Sequence, residues 1–136
     1  MKLSNLEITK KIEEAKQFQK LGQFKEAQEL YVESLRSNGN SFNLIYSYAL
    51  FAKDSKDFIL AKKLLVDLTK KFPSDIKPYI VISEILSLEN RFIEAEQVLL
   101  LAIKIEPKNA DIFYNFSRVY LKSKKVELSL KYINKA

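Results

Sequence analysis

The sequence predicts an all-α protein made of antiparallel helix hairpins, and three observations predict it. Gly occurs twice and Pro three times in 136 residues, too little turn material for a chain of short strands. Apolar residues recur at spacings of three and four, as in Ile45, Tyr48, Ala49 and Ala52. Several independent residue series then repeat at one interval of 34.

Ala27, Ala61 and Ala95 lie 34 apart, and the next step lands on Ser129. Three residues earlier in register, Phe24, Phe58 and Phe92 keep the same interval, followed by Val126. Ala15, Ala49, Ser83 and Ser117 form a second small series. Small side chains at fixed register mark close helix approaches, where a longer side chain would overpack. The Phe series supplies bulk just past each inter-helix turn. Pro73 and Pro107, with Gly39 one step earlier, fall where a hairpin must end, because proline cannot continue a helix interior.

These marks predict eight helices, near 5–20, 24–37, 41–54, 58–71, 76–89, 92–105, 110–123 and 126–136. The first helices of the hairpins carry the stripes Ile45, Tyr48, Ala49, Ala52, then Tyr79, Ile82, Leu86, then Phe113, Phe116, Tyr120. Second helices carry Ala61, Leu64, Leu65, Leu68 and Ala95, Val98, Leu99, Ala102. Ser41, Ser74 or Asp75, and Asn109 are positioned to cap hairpin starts, and Asp57 a second helix. Tyr48, Tyr79 and Tyr120 are expected in the core. One long coiled coil is excluded, because Pro73, Pro78 and Pro107 interrupt the chain and no heptad is sustained.

Composition bounds the chemistry. With 47% hydrophobic and 29% charged residues, the chain reads as soluble and globular. It has neither Cys nor His, so thiolate chemistry and imidazole bases or ligands are excluded. No phosphate loop or nucleophile elbow is present, and Glu94 and Glu96 lie two apart on a helix, facing away from one another. No catalytic residue, metal site, cofactor or small-molecule substrate is therefore expected, and the chain is not read as an enzyme. The net charge of +6 comes from 20 Lys against 3 Arg, with the lysines spread from Lys2 to Lys135. Arg, not Lys, suits bidentate and stacked contacts, so the charge reads as a solvated surface and argues against nucleic acid. The polar N-terminus does not resemble a secretory signal, and the longest apolar stretch, Val98 to Ile103, is too short to cross a bilayer. The expected compartment is the cytoplasm, without membrane attachment.

The repeat resembles the tetratricopeptide family, whose pattern asks for a small residue at the eighth position, Ala at the twentieth and Pro at the thirty-second. Ala110-Asp111-Ile112-Phe113-Tyr114-Asn115-Phe116-Ser117 is similar to the family's opening helix, and Leu21-Gly22-Gln23-Phe24-Lys25-Glu26-Ala27 to its inter-helix turn. The resemblance implies a right-handed superhelical stack of antiparallel hairpins. It makes residues 1–136 a single array, with units 8–41, 42–75, 76–109 and 110–136. Lys11 and Glu14 depart from the pattern at usually apolar positions, which implies a solvated first helix. The last unit is incomplete and no capping helix follows, which suggests the front piece of a longer protein.

The resemblance also implies a concave groove, lined by the first helix of each unit. It assigns to that groove Tyr46, Leu50, Lys77, Tyr114 and Arg118, with Asn115 at a neighbouring position able to bond a peptide backbone. Tyr supplies rigid amphipathic area of the kind found at hot spots. The expected function is a scaffold that binds a peptide or partner domain. Two alternatives stand beside it: the N-terminal targeting array of a larger modifying enzyme, and a helical-repeat RNA binder. Family members that grip a chaperone's C-terminal carboxylate use Lys, Asn and Arg at positions occupied here by Ile12, Lys16, Ser47, Lys77 and Val81. Only Lys77 fits, which argues against recognition of such a tail.

Overall fold

The computed structural model describes residues 2–135. Among them the chain forms seven α-helices and no strand. They are α1 (Asn5–Lys20), α2 (Phe24–Ser37), α3 (Phe42–Asp54), α4 (Phe58–Lys71), α5 (Lys77–Leu88), α6 (Phe92–Ile105) and α7 (Ala110–Lys135). No described helix is long and apolar enough to cross a membrane. The chain divides into two compact units, Met1–Phe72 and Pro73–Ala136.

In the first unit α1 pairs with α2, and α3 with α4, while α3 also packs on both helices of the preceding hairpin. Its core gathers Ile8, Ile12, Tyr31, Leu44, Tyr48 and Phe51. Tyr31 stacks on Tyr48 with ring centroids 5.2 Å apart. Both small series behave as close-approach points here, with Ala15, Ala27, Ala49 and Ala61 fully buried. Lys11 is half-buried and Glu14 exposed, as suits a solvated first helix. The start of α1 is closed by a capping box, in which Ser4 and Glu7 each accept from the other's backbone N–H. Ser41 and Asp57 accept from Leu44 and Leu60 at 3.3 and 3.2 Å, capping α3 and α4.

The second unit pairs α5 with α6, and α7 packs on both. Ser83, Ala95, Leu99 and Ala102 are fully buried between them. Asp75 accepts from the Lys77 N–H at 3.0 Å, and Asn109 from that of Asp111 at 2.8 Å. Both side chains thus satisfy N–H groups that a helix start leaves without an intrahelical partner.

Three hairpin turns share one device that the residue types conceal. Gly22, Lys56 and Asn90 each adopt positive φ, at 76°, 64° and 61°. The next N–H in each case reaches back five residues: Gln23 to Phe18, Asp57 to Ala52 and Arg91 to Leu86, all at 2.8 Å. This is the Schellman closure, in which one left-handed residue reverses the chain and satisfies helix-end carbonyls.

The fourth turn is different. The sequence predicts two helices over 110–123 and 126–136, whereas α7 runs unbroken from Ala110 to Lys135. Lys124 holds the register of Gly22, Lys56 and Asn90 yet stays helical. Its ammonium lies 5.8 Å from the centroid of the Tyr120 ring, one turn back, and pairs with Glu127 at 3.5 Å, one turn ahead. Tyr120 is consequently not a core residue: it is 55% exposed, where Leu86 at the same register is 5% exposed beneath α6. Phe113 and Ser117 are exposed for the same reason. The side chains of Ser129 and of residues 132–136, including the end of the predicted eighth helix, lie outside the described residues.

Candidate functional site

A concavity with both polar and apolar lining lies in the first unit, where α1 and α3 run side by side against α2. Lys16, Gln19 and Lys20 share one face of α1 by their spacing of three and four. Ser47, Leu50, Phe51 and Asp54 share one face of α3 in the same way. Together with Phe24 and Tyr31 of α2 they enclose a cleft of about 590 Å³. A cleft of this size falls within the range of small-ligand and peptide side-chain pockets.

The floor of the cleft is aromatic and rigid. Tyr31, Tyr48 and Phe51 form one cluster, with Tyr31 5.5 Å from Phe51 and 5.2 Å from Tyr48 between ring centroids, and Tyr48 6.3 Å from Phe51. Burial pushes the Tyr31 phenol up to about 12, so it remains a neutral hydroxyl at physiological pH. The rim is charged: Lys16 and Lys20 face Asp54, whose carboxylate accepts from Gln19 at 3.5 Å. An aromatic floor with a net cationic rim can hold an apolar side chain next to a carboxylate. Among the described residues no cluster of three or more carboxylate, thiol or imidazole groups is placed to hold a metal ion.

The structure distributes the sequence-predicted groove residues unevenly. Leu50 lines the cleft. Tyr46, one turn earlier on α3, is half-buried and stacks on Phe42 at 5.4 Å, and Phe42 in turn meets the edge of Phe72 at 5.3 Å. In the second unit Lys77 is exposed at the first turn of α5. Tyr114 is 63% exposed, and the Arg118 guanidinium lies 5.7 Å from its ring centroid. Such a stacked pair presents a flat amphipathic plate with a fixed charge. Asn115 is buried instead, donating to the Asp111 carbonyl one turn back at 2.8 Å. Of the cleft's lining, the repeat pattern points to Leu50 and gives no sign of Phe24, Tyr31 and Phe51 beside it. Aromatic residues on a second helix read as core by spacing, whereas Phe24 is half-exposed at the mouth.

Comparisons with known proteins agree with this architecture. The sequence profile of the tetratricopeptide repeat matches residues 76–109. No curated protein sequence gives a significant match. Among solved structures, the second TPR domain of human RPAP3, in complex with an HSP70 peptide, superposes with a TM-score of 0.69 at 17% identity, over 85% of this chain and 96% of that one. The first TPR of Spaghetti, bound to an HSP90 peptide, gives 0.70 at 16% identity, over 89% and 96%. The Arabidopsis OM64 TPR domain gives 0.69 at 18% identity, over 83% and 93%. The chain thus contains a tetratricopeptide repeat at residues 76–109 and has the all-helical fold of tetratricopeptide-repeat domains.

Proposed function

We propose that this protein is an interaction scaffold that binds a peptide or partner domain, with the α1–α3 cleft as its principal anchor point. The observation that carries the reading is the cleft itself: an aromatic floor, Leu50 on its wall and Lys16 and Lys20 on its rim. Its complement is an apolar side chain flanked by a carboxylate. Tyr46, Lys77 and the Tyr114–Arg118 plate are further contact points in this reading, each within its own unit. No catalytic step is assigned to any of them.

Two of the structurally similar domains hold chaperone peptides that end in Glu-Glu-Val-Asp. Here Ile12 and Val81 stand at positions where the family's carboxylate grip uses Lys and Arg, and both are buried. A charged tail would meet methyl groups at those points. The proposed partner is therefore recognised through a buried apolar side chain first and its charge second.

An immobilised array of nine-residue peptides, varied in charge and apolar content, tests this directly. The intact protein is expected to retain acidic peptides that carry an apolar residue. Leu50→Glu should weaken that retention by about thirtyfold or more, the effect of losing an anchor worth about 2 kcal/mol. Lys16→Glu combined with Lys20→Glu should shift the preference toward basic peptides while the thermal melt stays within about 0.5 kcal/mol of the parent. Unchanged retention by both variants removes the cleft from the interaction. If Tyr114→Ala or Arg118→Glu alone abolishes retention, the principal site belongs to the second unit.

A further inference from the structure

We propose that α7 is an opened hairpin, and that residues 126–135 act as a strap able to fold back over the exposed Phe113–Tyr120 face of the same chain. The inference rests on three observations about this unit and is independent of the peptide cleft.

The first is register. In each of three hairpins the small residue of the first helix and that of the second sit twelve apart around a left-handed turn: Ala15 and Ala27 about Gly22, Ala49 and Ala61 about Lys56, Ser83 and Ala95 about Asn90. Ser117 and Ser129 repeat that arrangement about Lys124. The second is the uncovered surface. Tyr79, Ile82, Ser83 and Leu86 are buried or half-buried under α6, whereas Phe113, Ser117 and Tyr120, at the same register, are exposed. The occupant this face matches is a second helix in the hairpin register, and residues 126–135 carry that register. The third is the means by which the straight form is held. Lys124 makes its two side-chain contacts along the helix, to Tyr120 and to Glu127, and both exist only while residues 120–127 remain helical.

Lys is not barred from the turn. Lys56 occupies the same register at φ 64° and closes the α3–α4 hairpin. Opening and closing α7 therefore exchanges local helix contacts at Lys124 for cover over Phe113 and Tyr120. A left-handed conformation at a non-glycine residue costs about 1–2 kcal/mol, so glycine at position 124 shifts the exchange toward closure by about tenfold.

Disulfide trapping tests the strap in the 136-residue chain. In a straight helix residues 117 and 129 are about 18 Å apart along the axis, far beyond the 7 Å limit for bridging. Ser117→Cys with Ser129→Cys is expected to form an intramolecular disulfide under mild oxidation, read by mass and by non-reducing electrophoresis. The bond should form about tenfold faster when Lys124→Gly and Lys125→Asp are added, which supply a left-handed residue and a helix cap. Absence of intramolecular bond in both backgrounds overturns the strap. A bond found only between two molecules also overturns it, and assigns the face to a second copy. Circular dichroism of each variant, matched to the parent, establishes that the rest of the chain is folded when the bond is scored.

Discussion

The hairpin of α5 with α6 and the single helix α7 begin from the same pattern and end differently. Both open with a first helix carrying large apolar residues at the same register and a small residue at its centre. In the former, Asn90 turns left-handed and α6 covers Ile82, Ser83 and Leu86. In the latter, Lys124 continues the helix and Tyr120 stands in solvent. What separates them is the balance at the turn. A reversal needs a residue tolerant of positive φ and a second helix with enough apolar surface to hold it. Asn tolerates the left-handed region better than Lys, and α6 offers Ala95, Leu99 and Ala102 to the core. Lys56 shows that the turn residue alone does not decide, since α4 brings Ala61, Leu65 and Leu68 to close over it.

The sharpest way to break this comparison is to truncate equivalent positions. Leu86→Ala should cost about 2–5 kcal/mol in chemical denaturation, because it leaves a cavity under α6. Tyr120→Ala, at the same register, should change folding stability by only about 0.5 kcal/mol. Equal costs would mean that the α7 face is covered most of the time.

An alkaline titration separates the units by another route. The Tyr31 phenol titrates near 12 when folded, against 10 for an unburied phenol. A group whose folded pKa is raised contributes stability that is complete below its unfolded pKa and is lost as pH climbs to the folded one. Stability should therefore fall between about pH 10 and 12, and Tyr31→Phe should remove much of that slope. The second unit places Leu99 at the corresponding register, so amide exchange above pH 10 should accelerate first around Tyr31 and Tyr48.

Overpacking comes next in size. Ala61→Leu and Ala95→Leu each insert a branched side chain at a fully buried contact and should cost about 1–3 kcal/mol. If either variant melts like the parent, the helices it separates are not in the contact described here.

The smallest effects concern the turns. Lys56→Gly relieves a left-handed lysine and should stabilise the first unit by about 1 kcal/mol. Lys124→Gly places glycine within a continuous helix and should lower its helicity, at about 1 kcal/mol, unless the fold-back of residues 126–135 compensates. Opposite signs at two positions of identical register would confirm that the turn is formed at one and absent at the other.

The sequence by itself determined the period, the helix type and the ends of six helices to within a residue or so. Those features are local: spacing of three and four, small residues at fixed intervals, and caps such as Ser41, Asp57 and Asn109 act within one or two turns of chain. The capping box of Ser4-Asn5-Leu6-Glu7 is equally local, although it lies outside the repeat. The candidate site was legible only in part. Leu50 falls at the cleft and Tyr114 and Arg118 at the surface, while Asn115, expected to face a ligand, turns inward to its own helix. Tertiary structure alone decided whether an apolar stripe becomes core or surface. Leu86 and Tyr120 carry the same periodic signal, and they differ only in whether a second helix returns to cover them. That return depends on summed contacts between segments distant along the helix, set against the cost of one left-handed residue, and neither quantity is written in the spacing of the first helix.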